Sequence, residues 1–286
     1  MRSNQRPRAE MRINKAICFE YTMTTATRRV AAAQILLALI LTLLSMAAIL
    51  LLLSIYGPDW AVYTPANCTA TRCFCELPRV GSLIVQPANS WSSYGYAFAG
   101  FLMIALAQGR EWASGFHRQA AAWFGITAIF VGLGSVLLHA TLTLWGQFAD
   151  VIGMYLISGF MLVSAIARWR DMSARGAVML YIGVVGALLA LLYLVPEVRR
   201  SLFAVVLLAA IAVEMIFARP RRPGVKVFYY LLGIVVKAVA FTIWNLDQHG
   251  IVCTPESAFQ GHAVWHLLGA TSLWLTFLYY RSERRS

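Results

Sequence analysis

The sequence predicts an all-α integral membrane fold: a bundle of seven transmembrane helices preceded by one extra N-terminal transmembrane helix. Three observations predict it. Of the 286 residues, 60% are apolar and only 13% are charged, about half the charged share of an ordinary globular domain. The apolar residues fall in long runs. The run 32–53 carries no charge and is long enough to cross roughly 30 Å of hydrocarbon as a helix. The runs also lack the alternation of apolar and polar positions that a membrane barrel requires, and a helix satisfies its own backbone hydrogen bonds in lipid.

In order, the expected spans are 30–56, 89–108, 121–143, 147–169, 177–195, 201–218, 226–246 and 260–280. Pro196, Pro220 and Pro223 fall in connections, where a missing N–H does little harm. With the N-terminus inside, only Arg72, Arg79, Arg199 and Arg200 lie in outside loops and Lys237 lies within a span. The other 19 of the 24 Lys and Arg residues lie inside. This asymmetry follows the positive-inside rule and places both termini in the cytoplasm. The outer face is then periplasmic or lumenal, and the membrane is the inner one in a bacterium. Residues 1–29 read as a basic disordered tail, 30–56 as a signal-anchor helix, 57–88 as an outside loop with cysteines and 89–282 as the seven-helix core. The tail is not a cleavable signal, because the apolar run after it is too long.

The net charge of +12 does not indicate nucleic acid. The basic residues sit between apolar runs as topology determinants, with no basic stripe interleaved with aromatics. No obligate protein partner is implied. Cys68, Cys73, Cys75 and Cys253 fall in outside loops, where oxidation to structural disulfides is expected. The spacing Cys73-Phe74-Cys75 is too tight for an ordinary zinc ribbon. The residues themselves leave the pairing open.

Ionisable groups within spans are costly and point to function. Ser135 and His139 stand four apart on the third span, so they share a helix face, and nearby Gly132 and Gly134 allow a neighbouring helix to approach. Asp150 opens the fourth span. His262 and His266 open the last one, again at i and i+4, a spacing that directs two imidazoles at one metal. The topology, set by Lys and Arg alone, brings all five residues to one depth near the outer surface. Three histidines that leave a coordination position open are a catalytic zinc set, with Asp150 as orienter or base and Ser135 as oxyanion donor. Glu214 and Lys237, opposite in charge within spans, are expected to pair structurally. Asp247, His249 and Glu256 read as solvated loop residues. A haem or proton-transport reading lacks paired histidines on facing helices at two depths.

The motifs resemble the alkaline ceramidases. The resemblance rests on Gly134-Ser135-x3-His139 with Asp150 eleven residues later, and on His262-x3-His266 around Trp265. It rests also on Cys75-Glu76, on Asn89-Ser90-Trp91-Ser92, and on Trp244-Asn245-x-Asp247 followed by Cys253. It covers about residues 70–282. The Ser/His/Asp/His/His set is shared with adiponectin-receptor-like and haemolysin-III-like proteins, whereas the Cys-Glu and Trp-Asn-x-Asp elements favour ceramidases.

The resemblance implies a seven-helix core with an outside N-terminus, which the extra first span would deliver. It implies a zinc amidase that cleaves the N-acyl bond of a ceramide-like membrane lipid to a sphingoid base and a fatty acid. Zinc would be held by His139, His262 and His266, assisted by Ser135 and Asp150, and a disulfide would join Cys75 to Cys253. The alternative is a lipid-sensing receptor-like or haemolysin-III-like protein with little turnover. The family's calcium site keeps only Glu76 here as a remnant. Cys73, Phe74, Pro78 and Gln86 or Pro87 replace its other positions, and calcium wants several oxygen ligands, so calcium dependence is not expected.

Overall fold

Long apolar segments interrupted by short polar turns fold into eight long helices among the residues that the computed structural model describes, 32–71, 73–222 and 224–284. The expected disordered tail at 1–29 lies outside those residues. The helices are α1 (Ala32–Tyr56), α2 (Pro87–Gln108), α3 (Arg118–Thr141), α4 (Leu144–Arg170), α5 (Ala174–Leu194), α6 (Arg199–Val213, extended by a π-helical turn over Glu214–Ala218), α7 (Val227–Gln248) and α8 (Gly261–Arg281). No strand forms among the described residues, only an isolated bridge between Pro65 and Thr143.

Six of the eight are long and apolar enough to cross a membrane, which makes the chain a multi-pass membrane protein. The other two, α2 and α8, have 22 and 21 residues, about 30 Å of helix each. Their lower apolarity has a local cause: they carry Asn89, Ser90, Ser92 and Ser93 on one and His262, His266, Ser272 and Thr276 on the other, nearly all turned into the bundle. Outward faces are apolar, as lipid requires. Leu43 and Leu44 of α1 are 61% and 60% exposed.

Short turns set the neighbours. Thr143 accepts from the N–H of Gly146 and starts α4 just after Leu142, whose φ of 50° ends α3 in the left-handed region. The result is an α3–α4 hairpin with Leu142 and Thr143 at its tip. Here α2 packs on α3 and α8, α4 on α3 and α6, and α7 chiefly on α8, while α6 and α7 barely meet. Two glycines make the close approaches at the level of the site. A Cβ on Gly132 would lie 2.9 Å from backbone atoms of Ala97 and Ser93 in α2, and one on Gly134 would collide with the backbone of Ala149 in α4.

At the opposite end of the bundle, buried charges lock the helices. Arg168 of α4 reaches Glu214 of α6 at 2.5 Å and Glu283 after α8 at 2.8 Å, and the Tyr279 hydroxyl donates to Glu214 at 2.6 Å. This corrects the expected Glu214–Lys237 pair. Glu214 is committed to Arg168, and Lys237 instead places its ammonium 3.8 Å from the centroid of the Trp265 ring.

Candidate metal centre

The segment 57–86 is laced onto the end of α3. Ala66 and Val85 donate backbone N–H groups to Leu142 and Ala140, and Gln86 donates to the carbonyl of His139 at 3.0 Å. Pro87 then occupies the first turn of α2, where its missing N–H is harmless and its fixed φ suits the helix. Glu76 caps that helix from outside. Its two carboxylate oxygens accept the N–H groups of Ala88 and Asn89 at 2.7 and 2.9 Å, a favourable placement for an anion at a helix N-terminus.

Two disulfides fix the same loop: Cys68–Cys73, and Cys75–Cys253 across a separation of 178 residues. The second is the bond that the family resemblance implied. The first settles the fate of Cys73, so Cys73-Phe74-Cys75 offers no free thiolates to a metal. Between the two bridges, the Phe74 ring lies 4.0 Å from the His262 ring and 4.6 Å from the His139 ring, centroid to centroid.

His139, His262 and His266 converge, each buried, with one nitrogen of each lying within 4.8 Å of the others. The hydrogen bonds define which nitrogen faces the centre. Nδ1 of His139 is 2.9 Å from Oε1 of Gln86, whose amide nitrogen is occupied as a donor to the carbonyl of Glu76. Oε1 can only accept, so Nδ1 carries the proton and Nε2 of His139 presents a bare lone pair. Nδ1 of His266 is 3.1 Å from the carbonyl of Asn89, again an acceptor only, with Ser92 Oγ at 2.9 Å. Its Nε2 is therefore bare too. Nε2 of His262 stands 3.2 Å from Nε2 of His139. With Nε2 of His139 bare and Nδ1 of His262 without a partner among the described residues, the proton of His262 sits on Nε2 and is donated to His139 in the metal-free cluster, and a bound cation would take the place of that proton. The donor set therefore fits a divalent ion that accepts imidazole ligands, and three ligands leave a fourth position open.

Ser135 and Asp150 join this cluster. Ser135 Oγ is 3.3 Å from Nε2 of His266 and also lies beside the Asp150 carboxylate. The close approach of Ala149 to Gly134 makes that second contact. Thus the five residues expected from the sequence meet in one place. Glu76 and the cysteines do not reach the metal position and act on the surrounding loop instead.

Four residues went unrecognised in those roles from the sequence. Gln86 orients His139, and its position just before a helix-starting proline is the available signal. Phe74 covers two of the histidines. Arg200, at the start of α6, lies 5.5 Å over the Trp244 ring, and its charge acts on Asp150 and His262. Asp247, expected to be a solvated loop residue, is buried. Its oxygens accept from the N–H of Cys75 at 3.2 Å and of His262 at 3.3 Å, so it ties the cysteine loop, the end of α7 and the start of α8 together.

The fold and site define a class: multi-pass helical membrane proteins with a buried three-histidine cluster able to hold a metal. Within it, residues 66–285 match the Ceramidase family model, and the chain belongs to the ceramidase family. No curated protein matches the chain. Membership implies a hydrolase of an amide bond with a lipid substrate.

Proposed function

We propose that this chain is a zinc-dependent amidase embedded in the membrane, hydrolysing the N-acyl bond of ceramide-like lipids to a sphingoid base and a fatty acid. The observation that carries the reading is the set of three imidazoles whose Nδ1 or Nε2 atoms gather within 4.8 Å, with Ser135 3.3 Å from Nε2 of His266 and Asp150 beside it. His139, His262 and His266 would hold the ion. When bound, zinc supplies a Lewis acid that acidifies water and polarises a carbonyl.

The remaining roles follow from the side chains. With the Nε2 lone pair of His266 engaged, the Ser135 hydroxyl turns its proton to Asp150 or to the carbonyl oxygen of the substrate, where it stabilises the developing negative charge. Asp150 takes a proton from the attacking water and delivers it to the leaving amine. Carbon–nitrogen cleavage then leaves a carboxylate and an amine. Phe74 and the disulfide-bound loop keep bulk water from the outer side of the histidines, which strengthens the electrostatics within.

The membrane arrangement belongs to the same proposal. All eight helices would cross, with α1 as the signal-anchor, both termini cytoplasmic, the loop 57–88 outside, and the core 89–282 carrying the metal centre near the outer face. Glu76 serves as a helix cap and not as a calcium ligand. The test is release of fatty acid from a long-chain ceramide by the purified, zinc-loaded protein, followed by mass spectrometry beside His262→Ala. Release that vanishes in the variant supports the amidase. Tight lipid binding without release by the wild type would favour the lipid-sensing alternative.

A further inference from the structure

One cation near the metal centre is unused by the reading above. Lys237 lies within α7, in a segment apolar enough to span the membrane. An ionisable group there is expensive and marks a function by default. Among the described residues it forms no ion pair with a carboxylate within 4.0 Å. It lies against the face of Trp265, whose centroid is 3.8 Å from Nζ. Trp265 directly precedes the ligand His266, and the charge of Lys237 acts on that histidine.

The indoles continue the line. Trp265 stacks on Trp244 at 5.3 Å and 30°, and Arg200 covers the outer side of Trp244 at 5.5 Å. Two cations are thus held against a pair of stacked rings beside the histidines, at the place where α6 and α7 barely meet. A ring face holds an ammonium without neutralising it. Of the two, Arg200 is coupled to Asp150, which leaves Lys237 as the charge awaiting a counter-ion.

We infer that Lys237 binds the carboxylate of the long-chain fatty acid at this site, as a product-binding residue. The identity of the anion rests on the amidase reading. The uncompensated cation beside His266 does not. An amide substrate is neutral at its carbonyl and becomes anionic only on cleavage, so an ammonium in this place holds product more tightly than substrate. A charge-assisted hydrogen bond replaces the weaker cation–ring contact when the acid is present.

The experiment is equilibrium binding of a long-chain fatty acid and of the fatty alcohol with the same chain to the full-length zinc-loaded protein, without any turnover. Wild type and Lys237→Arg are expected to prefer the acid. Lys237→Met and Lys237→Gln are expected to lose roughly tenfold or more in affinity for the acid and nothing for the alcohol. The two neutral variants differ in polarity, so either one that folds gives the answer. Acid affinity unchanged in a folded neutral variant overturns the inference. Because binding is read directly, a protein that failed to hydrolyse ceramide would still test Lys237, and an active enzyme with unchanged acid affinity would refute only this inference.

Discussion

Gln86 and His139 are tied to each other twice. The Gln86 N–H donates to the His139 carbonyl at 3.0 Å, and the His139 Nδ1–H donates back to the Gln86 side-chain oxygen at 2.9 Å. The loop before α2 therefore sets both the ring orientation and the tautomer of a histidine on α3.

Removing that second tie has a defined consequence. Gln86→Leu frees the His139 ring to rotate and to exchange its proton between nitrogens. Loss of such an orienting partner lowers metal affinity roughly 10- to 100-fold. Competition for zinc with a chelator of known affinity checks this, and unchanged affinity in a folded variant would remove Gln86 from the site.

Ser135→Ala and Asp150→Asn separate chemistry from metal binding. Both are expected to retain zinc. Loss of the oxyanion donor should lower ceramide turnover by about 10²–10³, and loss of the base by about 10²–10⁴. Since the two side chains are neighbours, the double variant should lose less than the product of the single losses. Steady-state kinetics on the four proteins reads this directly, and strictly multiplicative losses would argue against a shared role.

The inner lock makes a stability prediction. Arg168→Met leaves Glu214 buried without its counter-charge and Glu283 facing Arg222 at 3.9 Å, and should cost about 3–5 kcal/mol. Adding Glu214→Gln and Glu283→Gln should restore much of that loss. Thermal unfolding in detergent measures both steps. A single variant as stable as wild type would show that the network contributes little.

Glu76 gives a pH dependence outside the helices. Burial raises its carboxyl above the ordinary value of 4.5, against the opposing hydrogen bonds from Asn89 and Ala88. The folded state thus binds this proton more tightly than the unfolded state. The corresponding stability is present below pH 4.5 and is lost as pH rises through the folded-state value. Glu76→Gln should remove that component from the slope of thermal midpoint against pH, whereas equal slopes in both proteins would contradict it.

The outer disulfide should matter for position as well as stability. Cys75→Ser with Cys253→Ser opens a link spanning 178 residues and should destabilise by about 2–5 kcal/mol. Phe74 would then loosen over His139 and His262, so turnover should fall even at temperatures where the variant stays folded. Activity and unfolding measured side by side distinguish the two effects.

What could be read in advance follows from where each signal resides. Helix existence was legible because lipid demands long apolar runs, and the observed ends fall within a few residues of the expected ones. The three histidines and Asp150 stood out as candidates because charge and imidazole are rare in such runs, and Ser135 stood out by its spacing of four from His139. Helices α2 and α8 fail a purely hydropathic test because they supply the polar side chains around the histidines. The partners of Glu214 were misjudged. Sequence shows that two opposite charges are intramembrane, but their depths depend on which helices pack, and Arg168 at the end of α4 is nearer. Gln86 and Phe74 in a loop, and Asp247 at the end of α7, were hidden because such residues acquire their roles only when the chain folds back onto α3 and α8.

The most direct test of the central claim is the metal content of the purified protein, measured by elemental mass spectrometry beside His262→Ala/His266→Ala. The account predicts about one zinc per chain in the wild type and none in the double variant, with the helical fold of both intact by circular dichroism. Wild-type protein purified without chelators that holds no zinc, and takes up none when it is supplied, would contradict it.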